Sequence, residues 1–109
     1  MDQNLLEALE HRVESAVGLY SPAQLAALLA LGFEPRRTLL DKVKQRAVDT
    51  AVRFEPRDIA GLMQGFCAMR ERLGPVLMGH MQQRAESTAH AFTAGEARRL
   101  LEALDDMQE

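Results

Sequence analysis

Tryptophan is absent from this chain, and cysteine and tyrosine occur once each. A lone cysteine, Cys67, closes no internal disulfide and offers no cysteine cluster to zinc. It also fits a reducing setting better than an oxidising one. With one Tyr and four Phe, few rings are available for stacking on bases. Long apolar runs are lacking as well. The longest, Leu25 to Leu31, falls far short of the ~18 residues of a membrane span, so no membrane role is expected. The opening MDQNLLEALEHR is acidic and polar, unlike a secretory signal or an Arg-rich transit peptide. The expectation is a protein that stays where it is made, or a mature or trimmed form. Strand signals are missing throughout.

The 109 residues are 47% hydrophobic and 27% charged, the composition of one folded domain rather than of a disordered chain. The net charge of −3 is unevenly placed. Residues 1–32 hold one Arg against four acids, 33–100 hold twelve Lys and Arg against eight acids, and 101–109 hold four acids. A mildly basic middle between acidic ends permits a polyanionic partner without requiring one.

Three short stretches look like joints. In YSPAQL (20–25), Ser21 suits an N-cap, Pro22 suits the first helical position, and Gln24 stands where a capping-box partner belongs. Tyr20, ahead of the cap, can pack on Leu25 one turn in. FEPRDI (54–59) repeats the plan with Phe54, Glu55, Pro56, Asp58 and Ile59. FTAGEA (92–97) repeats it with Phe92, Thr93, Glu96 and Ala97, Ala94 replacing the proline. Helix starts are therefore expected close to Ser21, Glu55 and Thr93.

The segments before these joints repeat too. LLEALEHRVESAVGLYSP (5–22), LLDKVKQRAVDTAVRFEP (39–56) and LMGHMQQRAESTAHAFTA (77–94) align without gaps, so the joints recur after 34 and then 38 residues. Apolar residues keep helical spacing before the joints (Leu5, Leu9, Val13; Leu39, Val43, Ala47; Leu77, Met81, Ala85). They keep it after them as well (Leu25, Leu28, Leu29; Ile59, Leu62, Met63, Phe66; Ala97, Leu100, Leu101, Leu104). Gly32 to Pro35 and Gly74-Pro75 read as turns. The four extra residues of the second unit fall between Met63 and Leu77, which predicts a helix over 56–72, one turn longer than its counterparts. The expected fold is a single all-α domain over 1–109. About six helices pair antiparallel into a short α-solenoid, with units at about 5–31, 39–72 and 77–107. The acidic, polar ends would cap the stack. A compact six-helix bundle is the alternative with equal helix content.

An aromatic-x-Pro step before an apolar helix, a second helix carrying LMxxMxxRA, and this period resemble the organellar α-helical repeats of the octotricopeptide and FAST-kinase/RAP type. FEPRDIAGLMQGFCAM (54–69) carries most of the likeness, which spans residue 5 to about 107. The resemblance implies a non-catalytic helical-repeat module in an organellar RNA-binding or RNA-processing assembly, in the mitochondrion or another organelle matrix. Apart from the resemblance, the expected location is cytoplasmic.

The residues themselves offer little chemistry. His11, His80 and His90 make no metal-ligand spacing with each other or with the carboxylates. Gly61 and Gly65 lie in a helical pattern, not in a phosphate loop. Cys67 has helical spacing from Met63 and Phe66 and reads as core. No catalytic residue, metal, cofactor or small-molecule substrate is expected.

One feature recurs in all three units: Arg12, Arg46 and Arg84, each three residues after an apolar Leu9, Val43 or Met81. Lys42 and His80 stand one turn earlier in two of them. Stacked units would align these side chains along one groove. As a ligand strip they would fork onto phosphates of single-stranded RNA. As a structural ladder, each Arg would pair with an acid of the neighbouring unit while its stem covers apolar surface. The scarcity of rings and the negative net charge weigh against tight RNA binding by this chain alone. Two functions stay open: an RNA-associated module working with protein partners in a larger complex, or a protein–protein adaptor without nucleic-acid contact.

Overall fold

The three joints start three helices. The computed structural model describes residues 3–30 and 36–107, and the turn read at Gly32 to Pro35 lies outside them. Six α-helices are described: α1 (Gln3–Ala16), α2 (Pro22–Leu29), α3 (Arg37–Asp49), α4 (Pro56–Ala68), α5 (Pro75–Ser87) and α6 (Ala94–Met107). No strand occurs among the described residues. Short 3-10 turns at Val17–Leu19, Ala51–Arg53 and Ala89–Ala91 close the odd-numbered helices. Every element start after the first recurs at the sequence offset, so the all-α expectation and the alignment agree in register.

Capping accounts for the starts at Pro22, Pro56 and Ala94. Ser21 Oγ accepts the Gln24 N–H at 3.2 Å while Gln24 Oε1 accepts the Ser21 N–H at 2.8 Å. Thr93 and Glu96 reproduce the pair at 3.1 and 3.0 Å. At the middle joint, the Asp58 carboxylate accepts the Glu55 N–H at 3.0 Å. These bonds satisfy N–H groups that have no partner within the helix. Tyr20, Phe54 and Phe92 all hold extended backbone (ψ 142, 131 and 133°) between the 3-10 turn and the cap.

The helix expected over 56–72 ends at Ala68 instead. Arg70 takes the left-handed conformation (φ 55°). Its N–H bonds to Cys67 O at 3.0 Å, and the Glu71 N–H bonds to Phe66 O at 2.9 Å. These are the two bonds of a Schellman stop. The extra residues of the second unit therefore form a link to α5 and do not lengthen α4.

Helix α4 lies between α2 and α6, while α3 lies between α1 and α5. The first 3-10 turn packs on α3 and the second on α5, so the first two joints touch the helix of the following unit. The extents are 45 × 26 × 24 Å. Leu25, Leu39, Val43, Phe54, Ile59, Leu62, Phe66, Leu77 and Met81 form one core running through the rows. The α2–α4 contact is unusually close. A Cβ added at Gly65 would stand 2.5 Å from Leu29 Cβ, and one at Gly61 would stand 3.1 Å from Ala26 Cβ.

Three residues expected on buried faces are exposed, and Val13, Ala85, Ala97, Leu100 and Leu104 are half-buried. Leu5, Leu9 and Leu101 are exposed, although their counterparts Leu39, Val43, Leu29 and Met63 are buried. Each exposed leucine belongs to α1 or α6, the first and last of the described helices. The ends thus present leucines beside their acids and are not purely polar caps.

Candidate functional site

The arginines occupy the steps between units. A residue in extended backbone between a 3-10 turn and a cap has a carbonyl that no helix uses, and this carbonyl faces the next unit. Arg46, half-buried on α3, donates its Nε–H to Tyr20 O at 2.8 Å. Arg84, half-buried on α5, donates its Nε–H to Phe54 O at 2.7 Å. Both bonds use one donor atom, one kind of acceptor and one alignment position. Charge-assisted bonds of this length are among the stronger hydrogen bonds of a protein. Thr50 and Thr88 then donate their hydroxyls to the carbonyls of Arg46 and Arg84, each at 2.8 Å, finishing those helices.

The remaining members of the set are placed differently. Arg12 is exposed, and its side chain has no partner among the described residues. Lys42 is exposed and pairs with Glu14 of α1 at 3.3 Å. His80 is exposed on α5. Arg46 and Arg84 meet backbone carbonyls, whereas the sequence suggested acids of the neighbouring unit. A carbonyl leaves no mark in the sequence. The available clue was that each Arg follows, by 26 and 30 residues, an aromatic that must lie outside a helix.

Acids enter through other residues. Arg36 lies 3.6 Å from both Glu10 and Glu14, and its N–H bonds to Glu10 at 2.7 Å. Burial resists the charge on Glu14, but Lys42, Thr38 and Arg36 together outweigh it and hold the carboxyl below its ordinary range. Glu71, at the stop after α4, receives Arg37 at 2.7 Å and Lys44 at 2.8 Å. Lys44 also sits over the Phe66 ring, 5.9 Å from its centre. Sequence reasoning missed Glu71, because its role depends on where the chain stops after α4.

The Glu71 carboxyl is pulled from 4.5 to about 2, first by the hydrogen bond from Arg37 and then by that from Lys44. A carboxyl lowered in the folded state binds fewer protons there than when unfolded. Its contribution to stability is therefore full above about 4.5 and is lost as pH falls toward about 2. Thermal melts across that acid range should show a steep loss in the native protein and a shallower one in Glu71→Gln.

Elsewhere the chemistry is quiet. Cys67 is half-buried against the core, and its thiol donates to Asp106 at 3.5 Å. Burial first, and Asp106 second, push this thiol up, away from the thiolate that a nucleophile needs. Among the described residues, no three His, Cys, Asp or Glu side chains gather as a metal site. No described helix is long and apolar enough to cross a membrane. An open groove of about 320 Å³ runs between α4, α5 and α6, lined by Ile59, Met63, Met81, Ala85, Leu100 and Leu104, with Gln82 and Glu86 at its edge.

No family model matches the chain. No curated protein matches it. No solved structure matches it.

Proposed function

We propose that the chain is a short α-solenoid of three units, a non-catalytic scaffold that docks a protein partner within a larger assembly. The observation that carries this reading is the pair of bonds from Arg46 and Arg84 to the Tyr20 and Phe54 carbonyls. Side chains that hold the stack together are poorly placed to follow a phosphate backbone, and Lys42 is already paired with Glu14. The packing of α2, α4 and α6 in one row and α1, α3 and α5 in another supports a solenoid over a closed bundle. The raised Cys67 thiol supports a role without catalysis. An organellar RNA-processing assembly is the setting that the family resemblance implies. In such an assembly this chain would act through its protein contacts.

Labelled single-stranded RNA titrated at two salt concentrations tests the proposal. No salt-dependent binding is expected. Binding whose salt slope drops by ~0.7 per lost contact in Arg46→Gln/Arg84→Gln, with an unchanged melt, would replace the scaffold with an RNA-binding module.

A further inference from the structure

We infer that the two ends of the chain fit each other, so that a second copy docks head to tail and continues the stack; this rests on the repeat reading above. The chain makes one kind of unit-to-unit joint twice, and each end carries one unmatched half of it. On the upstream side, Leu39 and Val43 of α3 and Leu77 and Met81 of α5 are buried, while their counterparts Leu5 and Leu9 on α1 are 51% and 52% exposed. On the downstream side, Leu29 and Met63 are 5% and 1% exposed, while their counterpart Leu101 on α6 is 67% exposed. Val17 and Ala51 are buried, and Ala89 at the same position is exposed.

The polar half of the joint follows the same rule. Arg46 and Arg84 reach back to Tyr20 O and Phe54 O. Among the described residues, Arg12 has no carbonyl to reach, and no donor reaches Phe92 O. The groove beside α6 lies at this end, edged by Gln82 and Glu86. Their counterparts Glu10 and Glu14 meet Arg36 and Lys42 of the next unit, but the chain carries Asp2 and Ala8 at those two sequence positions. These ion pairs therefore do not recur between copies, and the polar match is that of Arg12 with Phe92 O. The α1 helix of a copy would thus lie along α5 and the groove as α3 lies along α1. Leu5 and Leu9 would be covered, and Arg12 would donate to Phe92 O.

An unrelated apolar partner would account for the leucines alone. It would not account for a donor at one end and a bare carbonyl at the other, both in the register of the internal joints. Such a contact is heterologous, so it propagates into a ring or an open chain and does not stop at a symmetric dimer. Both ends carry surface acids, Glu7 on α1 and Glu102 and Asp105 on α6. Screening their repulsion should make association stronger at higher salt, the reverse of RNA binding.

Sedimentation equilibrium over a range of concentration and salt tests the inference. Native protein should form species larger than a dimer, increasingly so with salt. Leu9→Glu spoils the upstream half and Leu101→Glu the downstream half, so each variant alone should be monomeric. Mixed together they should form a one-to-one dimer and nothing larger, because one good half of each kind remains. Circular dichroism checks that both variants keep native helix content, and Arg12→Glu substitutes for Leu9→Glu if that variant is misfolded. Native protein that is monomeric throughout, association that survives in the single variants, or a mixture that stays monomeric would each overturn the inference. A monomeric native protein that also binds no RNA would remove this inference alone and leave the scaffold reading in place.

Discussion

Phe54→Ala should lower the unfolding free energy by about 3–5 kcal/mol, the range for removing a fully buried aromatic side chain. Phe54 is the joint aromatic of the middle unit and is fully buried, whereas Tyr20 and Phe92 are half-buried. Three functions meet at this residue. Its ring fills the core between rows, its extended backbone turns the chain from the 3-10 turn into α4, and its carbonyl receives Arg84. Only the ring is lost in Ala, so the cost reports packing: the missing transfer free energy plus the cavity left behind. Domains of this size are stable by only about 5–15 kcal/mol, so the variant should sit near the edge of folding. Denaturant unfolding of Phe54→Ala, Tyr20→Ala and Phe92→Ala checks the order. Equal costs at all three would mean that the middle joint is not the most enclosed.

Gly65→Ala should destabilise, against the usual rule. In an exposed helix interior, replacing Gly by Ala gains about 0.8–1 kcal/mol. At Gly65 the new Cβ would stand 2.5 Å from Leu29 Cβ. Leu29 Cβ is fixed to its backbone and cannot swing aside, so α2 and α4 must move apart along a central contact of the fold. Overpacking of this kind costs typically 1–3 kcal/mol and outweighs the gain in propensity. Gly79 on α5 supplies the control, since a Cβ there meets nothing within 4 Å. Melting temperatures should fall for Gly65→Ala and rise for Gly79→Ala. A rise for both would show that α2 and α4 are farther apart than described.

Local chemistry made much of this architecture readable in advance. Ser21 with Gln24 and Thr93 with Glu96 are side chain–backbone pairs three residues apart, so the helix starts follow from neighbours in the chain. The three-fold alignment carried the same information to the second and third units. The stop after α4 was not readable, because Arg70 occupies a left-handed position where glycine is the usual sign. Without that stop, Glu71 could not be placed opposite Arg37 and Lys44. Gly61 and Gly65 were seen as helical, but their use depends on which residues of α2 face them. Arg12, Arg46 and Arg84 were legible as a recurring position. Their acceptors were not, because backbone carbonyls are common to every residue. The same alignment hid the difference between inner and outer units. Leu5, Leu9 and Leu101 carry the pattern of a core but are exposed among the described residues.

The central claim is that Arg46 and Arg84 tie consecutive units through the joint carbonyls, while Arg12, at the same position, does not. Single Arg→Gln changes at the three positions, followed by denaturant unfolding, test it most directly. Losing a hydrogen bond from a charged donor and leaving a half-buried or buried carbonyl unpaired should cost about 1–3 kcal/mol at Arg46 and at Arg84. In protein dilute enough to be monomeric, Arg12→Gln should stay within about 0.5 kcal/mol of the native protein, as exposed substitutions do. Unchanged stability for Arg46→Gln and Arg84→Gln, or an equal loss at all three positions, would contradict the account.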